Sequence, residues 1–286
     1  MQRNEVERIF EQEKEKFFRK QYKSDCPPIA IILGGQPACG KSTLIQIAQS
    51  DHPEQKFLTV NGDLYRQFHP EHDKLIKDPI RYPSETQIFS NVFTEKLIEE
   101  AIKRKCNIIV EGTMRNPMVP LNTASKFREA GYRVEAYIIA APKEFTHLGL
   151  YNRYQEECNK KGVGRLADIE SHNKAVIGVS KSIDELYNRK AVDRISIHSY
   201  IAKERVKDFF LEHNAWNCRS LPSIFISDSR VQQLKNKILL ESCINRGESM
   251  LLQVNDKQIR KGMENAINDL KRALIISQKQ QRGYKI

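Results

Sequence analysis

Residues Gly35-Gln36-Pro37-Ala38-Cys39-Gly40-Lys41-Ser42 fit the pattern G-x-x-x-x-G-K-[ST] in full. They follow an apolar run, Ile29-Ala30-Ile31-Ile32-Leu33, and open a segment of helical patterning from about Lys41 to Gln49. Strand, glycine turn and helix in that order give the pattern a mechanism. The glycines let the backbone curl, so that successive N–H groups aim at phosphate oxygens at the positive end of a helix dipole. The pattern assigns Gly35, Gln36, Pro37, Ala38, Cys39, Gly40, Lys41, Ser42 and Thr43 to binding a nucleoside triphosphate, written here as ATP. Lys41 would reach the β- and γ-phosphates, and the Ser42 hydroxyl would ligate Mg2+. What the phosphate is used for stays open.

The same loop constrains the fold, because it must sit between a buried strand and a helix. Further short apolar runs lie at Phe57–Val60, Asn107–Val110 and Val134–Ala140. Between them, residues 84–105 carry Ile88, Phe89, Val92, Phe93, Leu97, Ile98 and Ile102 at helical spacing. Helices alternating with apolar strands predict right-handed βαβ units. The expected class is α/β: a P-loop NTPase-type three-layer parallel sheet flanked by helices, with a helical C-terminal extension. The spacing predicts an amphipathic helix over residues 4–21, mostly helix from 142 to 218, a further strand at Ser223–Ile226, and two helices in 231–286 broken near Arg246-Gly247. That divides the chain into an N-terminal helix (1–28), a kinase-like domain (29–230) and a basic extension (231–286) packed on or appended to the core.

Composition excludes several classes. A chain of 286 residues buries a core without staples. Its longest apolar stretches, such as Tyr137–Ala141, fall far short of the roughly 20 residues of a membrane span. The opening Met1-Gln2-Arg3-Asn4-Glu5 leads into charged helical patterning rather than a signal-peptide core. Six cysteines without a C-x-x-C pair read as reduced thiols, neither a zinc site nor a disulfide framework, hence a cytoplasmic chain. The net charge is +11, and residues 231–286, with eleven Lys+Arg against five Asp+Glu, hold +6 of it. Nucleic acid would be better served by aromatic residues among those cations, and the segment offers only Tyr284. Nucleic acid is therefore not favoured as a partner, and no membrane partner is expected.

Phosphoryl transfer to a hydroxyl needs cations around the moving group and a carboxylate near the acceptor. Asp63 lies just past the second strand, where ligands of open α/β sheets bind; it reads as a base or as a helix N-cap. Glu111 ends the third strand in Ile108-Ile109-Val110-Glu111-Gly112-Thr113. It would hold Mg2+ through water, grip a substrate hydroxyl, or simply be solvated, and Thr113 adds a hydroxyl to the same cleft. Arg153, on a helix, and Arg165, on the loop Gly162-Val163-Gly164-Arg165, read as phosphate clamps or as surface charges.

Several segments, in order, resemble the zeta toxin family, the toxin kinases of bacterial toxin–antitoxin systems. They are Gly34-Gly35-Gln36-Pro37 with Gly40-Lys41-Ser42, Asn61-Gly62-Asp63-Leu64-Tyr65-Arg66 with His69-Pro70, Glu111-Gly112-Thr113-Met114-Arg115, Gly131-Tyr132, Arg153-Tyr154 and Gly164-Arg165. Together they cover about residues 29–200. Ala38-Cys39 stands where Gly or Ser is more usual, and neither the first 28 residues nor those after 230 match anything diagnostic. The resemblance implies transfer of the ATP γ-phosphate to the amino-sugar 3′-hydroxyl of UDP-N-acetylglucosamine, poisoning cell-wall synthesis. It implies Asp63 as the base, Lys41, Arg153 and Arg165 as phosphate-charge stabilisers, and Glu111 and Thr113 as contacts to the nucleotide sugar. It also implies the bacterial cytoplasm and a small helical antitoxin that blocks the nucleotide site. The alternatives are a P-loop kinase of another small molecule or of a polynucleotide end, and, outside enzymes, an ATP-binding nucleic-acid module.

Overall fold

The apolar runs become strands whose successive side chains leave opposite faces of one sheet. Ile31 and Leu33 enter one cluster, with Leu44, Ala48, Ile109, Tyr137 and Ile139, while Ala30 and Ile32 enter the other, with Val110, Ala136 and Ile138. The computed structural model describes all residues except 19–21, 23–26, 79–80, 201–203 and 284–286. The helix expected over 4–21 is shorter: the α-helix ends at Glu13 and a 3-10 turn, Lys14–Lys16, follows it, while residues 19–21, Cys26 and Tyr284 lie outside the described residues.

In chain order the elements are α1 (Arg3–Glu13), β1 (Ile29–Gly34), α2 (Lys41–Ser50), β2 (Leu58–Val60), a 3-10 segment (Gly62–Phe68), α3 (His72–Leu75), α4 (Tyr82–Glu85) and α5 (Gln87–Arg104). There follow β3 (Ile108–Glu111), α6 (Met118–Glu129), β4 (Arg133–Ala140), α7 (Lys143–Lys161), α8 (Ile169–Asn188) and β5 (Arg194–Ser199). The chain continues with β6 (Arg205–Glu212), β7 (Ala215–Trp216), α9 (Pro222–Leu234), α10 (Lys237–Leu251) and α11 (Lys257–Gly283). The sheet order is β2-β3-β1-β4-β5-β6-β7. Strands β1 to β5 run parallel, so their carboxyl ends open on one edge. Helix α2 covers one face, and side chains of α1, α5, α6, α8 and α9 cover the other. This is the expected three-layer α/β architecture with an addition: β6 and β7 pair antiparallel, which makes the sheet mixed.

Three expectations need correction. The region 142–218 is helical only as far as Asn188, because β5, β6 and β7 occupy its last part, Arg194–Trp216. Strand β5 carried a readable signal, since Ile195 and Ile197 alternate with polar residues. The β6–β7 hairpin carried little. Its turn uses His213 and Asn214 at φ 48° and 62° instead of a glycine, and β6, next to the two-residue edge strand β7, is rich in charge. Ser223–Ile226 is not a strand but part of α9, which starts on Pro222, the residue best tolerated in a first helical turn. Its apolar residues follow helical spacing, with Pro222 and Ile226 buried and Phe225 against the core. Nor does the chain break at Arg246-Gly247: α10 runs through to Leu251, and residues 252–256 make the connection. Gly247 is there for close packing, since a Cβ would lie 2.8 Å from Leu148 Cδ2.

Helices α10 and α11 bury Leu240, Ile244, Met263, Ala266, Ile267 and Leu270 against Phe145, Leu148 and Tyr151 of α7. At the other end, Val6 and Phe10 of α1 enter the main cluster, and the Phe10 ring meets Phe93 of α5 edge-on at 5.3 Å.

Candidate active site

The phosphate loop caps β1 and enters α2 through Gly40, whose φ of 84° is left-handed and favours glycine. A Cβ on Gly35 would fall 2.4 Å from Cys39 Sγ, so the loop closes only over a bare backbone. Gln36 is fully buried and turns away from the cradle. Its Nε2 donates to Ala141 O at 2.8 Å and to Thr146 Oγ1 at 3.3 Å, which ties the loop to the start of α7. Behind Thr146 stands His172 of α8, with Nε2 2.8 Å from Thr146 Oγ1. Burial pushes the His172 imidazole down to about 4. Of Gln36 and Cys39, then, only backbone groups face a phosphate, because both side chains are committed to the loop's own architecture.

Lys41 opens α2 and donates from Nζ to Gly35 O at 3.1 Å and to Gln36 O at 3.4 Å, and it lies 3.9 Å from Glu111 Oε1. Glu111 is not solvated; its side chain is 19% exposed, and Oε2 accepts from Asn61 Nδ2 at 2.7 Å. Burial raises the Glu111 carboxyl, Lys41 pulls it down and Asp63 pushes it up again, leaving it above the ordinary range. Asn61 caps the 3-10 segment by accepting from Asp63 N at 3.0 Å. The capping job considered for Asp63 therefore belongs to Asn61, and the Asp63 carboxylate is turned to two guanidiniums. Arg66 Nε donates to Oδ1 at 2.9 Å, and Arg165 Nη2 donates to Oδ2 at 2.9 Å. Desolvation would raise the Asp63 carboxyl, but the Arg165 charge and the Arg66 bond outweigh it and hold it below its usual value.

Arg165 is held from its backbone as well, where its N–H donates to Glu157 Oε2 at 3.0 Å. Glu157 also takes Arg153 Nε on Oε1 at 3.1 Å. Arg153 remains half exposed, yet its charge is felt at Glu111. One continuous polar chain thus joins Lys41, Glu111, Asn61, Asp63, Arg165, Glu157 and Arg153. Ser42 and Thr113 are exposed, and no hydrogen bond among the described residues ties either side chain to that chain. The backbone N of Thr43 donates to Gly40 O at 3.1 Å, closing the first turn of α2. The segment after Glu111 is cradled by α8: Ser182 Oγ donates to Met114 O at 2.7 Å, and Arg115 Nη1 donates to Ser171 Oγ at 3.0 Å.

Sequence reasoning gave no role to Asn61, Arg66 or Glu157. Two of these carried a local signal, since Arg66 stands three residues after Asp63 and Glu157 four after Arg153, the spacings at which helical neighbours pair. The contact from Glu157 to Arg165 and that from Asn61 to Glu111 had none.

The sheet supplies the positions, the loop supplies a phosphate cradle, and the polar chain supplies cations beside a carboxylate. The sequence pattern of the zeta toxin family matches residues 13–214. Toxin zeta of Enterococcus hirae is 26% identical over 234 residues, covering 79% of this chain and 77% of that protein. Toxin PezT of Streptococcus pneumoniae is 34% identical over 138 residues, covering 47% of this chain and 53% of that protein. A solved chain from the PezAT chromosomal toxin–antitoxin system of Streptococcus pneumoniae has a TM-score of 0.72 at 24% identity, covering 88% of this chain and 98% of that one, which shows a common fold. With its phosphate loop, its strand-end carboxylates and 202 matched positions out of 286, the chain belongs to the zeta toxin family, kinase-like phosphotransferases of toxin–antitoxin systems.

Proposed function

We propose that the protein transfers the γ-phosphate of ATP to the 3′-hydroxyl of the amino sugar of UDP-N-acetylglucosamine and acts as a bacterial toxin by inhibiting cell-wall synthesis. The observation that carries this reading is the continuous path from Lys41 in the phosphate cradle, through Glu111 and Asn61, to the backbone N–H of Asp63, whose carboxylate is met by Arg66 and Arg165. It sets a nucleotide site and a proton acceptor side by side at the open edge of the sheet. The bare cradle over Gly35 and the start of α2 fit a triphosphate. Mg2+ commonly takes one or two protein oxygens plus phosphate oxygens, and the Ser42 hydroxyl suits that task; bound there it would neutralise charge on the phosphates.

Asp63 accepts the proton of the sugar hydroxyl. A carboxylate held below its usual pKa is a weak base, which suffices where proton transfer lags behind a loose phosphoryl transfer. Lys41, Arg153 and Arg165 stabilise charge on the transferring group, and Arg165 stands near enough to Asp63 to serve the base and the phosphate in turn. Glu111, pushed up by burial, and Thr113 hold the nucleotide sugar. A small helical antitoxin would cover the nucleotide site; the similarity to a PezAT chain supports a partner of that kind. No helix among the described residues is long and apolar enough to cross a membrane, and we place the protein in the bacterial cytoplasm. The division proposed for the chain keeps 29–230 as the kinase unit, with 1–28 and 231–286 as additions to it.

The test is incubation with ATP, Mg2+ and a panel of sugar nucleotides, read by mass spectrometry. A mass gain of one phosphate on UDP-N-acetylglucosamine, lost in Asp63→Ala, is expected. An unmodified sugar nucleotide alongside a labelled RNA or DNA end would replace this reading with that of a polynucleotide kinase.

A further inference from the structure

Arg66 is the most heavily bonded cation of the site, and the chemistry above does not use it. Its side chain is 8% exposed. Nη1 donates to Pro83 O at 2.8 Å and to Thr86 Oγ1 at 3.0 Å, and Nη2 donates to Gln87 Oε1 at 3.0 Å. Those acceptors are all neutral and all come from the corner where α4 meets α5, so they fix the plane of the guanidinium independently of Asp63. Nε is the donor that meets the carboxylate, at 2.9 Å from Oδ1. A buried guanidinium costs several kcal/mol unless its donors are met. An ordinary exposed pair at this spacing contributes only a few tenths of a kcal/mol, so the built pocket around Arg66 exceeds what a surface ion pair calls for. Arg165 differs in kind. It comes from a loop, its side chain is 24% exposed, and among the described residues its guanidinium bonds to Asp63 Oδ2 alone.

We propose that Arg66 is the positioning residue for the Asp63 carboxylate: it pins Oδ1 against the α4–α5 corner so that Oδ2, the oxygen that also accepts from Arg165, is presented to the acceptor hydroxyl. The inference rests on the reading of Asp63 as the base. Rotation of an Asp carboxylate is otherwise cheap, and a misplaced acceptor loses the near-attack geometry that makes transfer fast. The charged groups facing Asp63 are Arg66 from its own segment, Arg165 from the loop after α7, Glu111 from β3 and the Tyr82 phenol from α4. Arg165 is tied to Glu157 by its backbone N–H, whereas it is the guanidinium itself of Arg66 that Pro83, Thr86 and Gln87 anchor.

The experiment compares Arg66→Gln, Arg66→Lys and Gln87→Met in the full chain, with ATP–Mg2+ and UDP-N-acetylglucosamine, over pH 4 to 9. Arg66→Gln removes the charge and the fork; kcat should fall by about 100-fold at neutral pH, the KM for ATP should stay within about threefold, and the acid limb of kcat should move up by about one pH unit. Arg66→Lys keeps the charge and loses the plane, so the acid limb should stay and kcat should still fall about tenfold. The Asp63 carboxyl is also titrated by NMR in the nucleotide-free protein, where Arg66→Gln should raise its midpoint whatever the substrate proves to be. A folded Arg66→Gln with kcat within twofold of the parent, or with an unmoved carboxyl titration, overturns the proposal. If that variant does not fold, Gln87→Met decides, because Gln87 is exposed and does not touch Asp63. Loosening Arg66 there should cost about threefold to tenfold in kcat at an unchanged acid limb, and parent-like turnover would overturn the role. Failure of the base reading itself looks different, since Asp63→Ala would then retain transfer while the titration result still stood.

Discussion

Replacing Gly178 with alanine sets two effects of opposite sign against each other. Gly178 lies inside α8, where alanine is favoured over glycine by about 1 kcal/mol. Its Cβ, however, would sit 2.3 Å from Arg115 O and 2.7 Å from the Arg115 C and Cα atoms. Every one of these atoms is backbone, so no side chain can swing aside. Reaching ordinary contact requires α8 and the segment after β3 to separate by about 1 Å, at an overpacking cost of about 1–3 kcal/mol. The same shift stretches the buried bond from Ser182 Oγ to Met114 O, 2.7 Å long, worth about 1 kcal/mol. The clash therefore outweighs the helical gain, for a net loss of about 1–3 kcal/mol. For a chain of this size that lowers Tm by about 2–6 °C. Because the displaced segment carries Thr113, the KM for the nucleotide sugar should rise while the thermal shift induced by ATP stays at the parent value. Scanning calorimetry with and without ATP, followed by acceptor titration, reads both. A Tm above the parent's would show that helix propensity wins and that α8 does not grip this segment.

Asp63→Asn keeps the shape and one acceptor oxygen but discards the charge that both arginines meet. Transfer should drop by about 10³-fold or more with ATP affinity nearly intact, as read by phosphate incorporation beside nucleotide titration; parent-like turnover removes Asp63 as the base. Arg230 of α9 has its Nε and one terminal nitrogen sealed from solvent with no hydrogen-bond partner among the described residues, and burial pushes its guanidinium down against the weaker pull of Glu144 and Cys39. Arg230→Met should stabilise the protein by about 1–4 kcal/mol, a rise in denaturation midpoint that a measured fall would contradict. His172 is buried neutral with its value pushed down to about 4, so the folded state binds fewer protons than the unfolded one, where histidine titrates at about 6.5. Stability should be lost as pH falls from about 6.5 and level off below about 4, a loss of about 2 kcal/mol between pH 7 and 5. Burial lowers His69 and His147 too, with the same sign. The decisive quantity is therefore the difference in slope between the parent and His172→Gln; equal slopes would mean that His172 is not held neutral behind the phosphate loop.

The sequence by itself determined the glycine turn between β1 and α2, the four apolar strands β1 to β4 and the helices over about 41–49 and 84–105, though not α6. Each of these is written in adjacent residues: glycines where the backbone must curl, alternation where a strand has two faces, and helical spacing where one side meets the sheet. Even the glycine at 247 was visible, although its meaning was not. Alone it read as a break, and only the closeness of Leu148 and Ile267 makes it a point of helix contact. Tertiary structure decided the antiparallel edge, where β6 gains its order from pairing with β5 and its turn lacks a glycine to announce it. It also decided the site. Asp63 and Arg165 lie far apart in the chain, and so do Asn61 and Glu111, yet each pair is in hydrogen-bond contact because parallel strands deliver their carboxyl ends to one edge. The strength of such a contact depends on burial and on what else each group touches, and neither is a property of neighbouring residues. That is why Arg66 reads in the sequence as one cation among 47, and in the fold as the one fixed beneath the carboxylate.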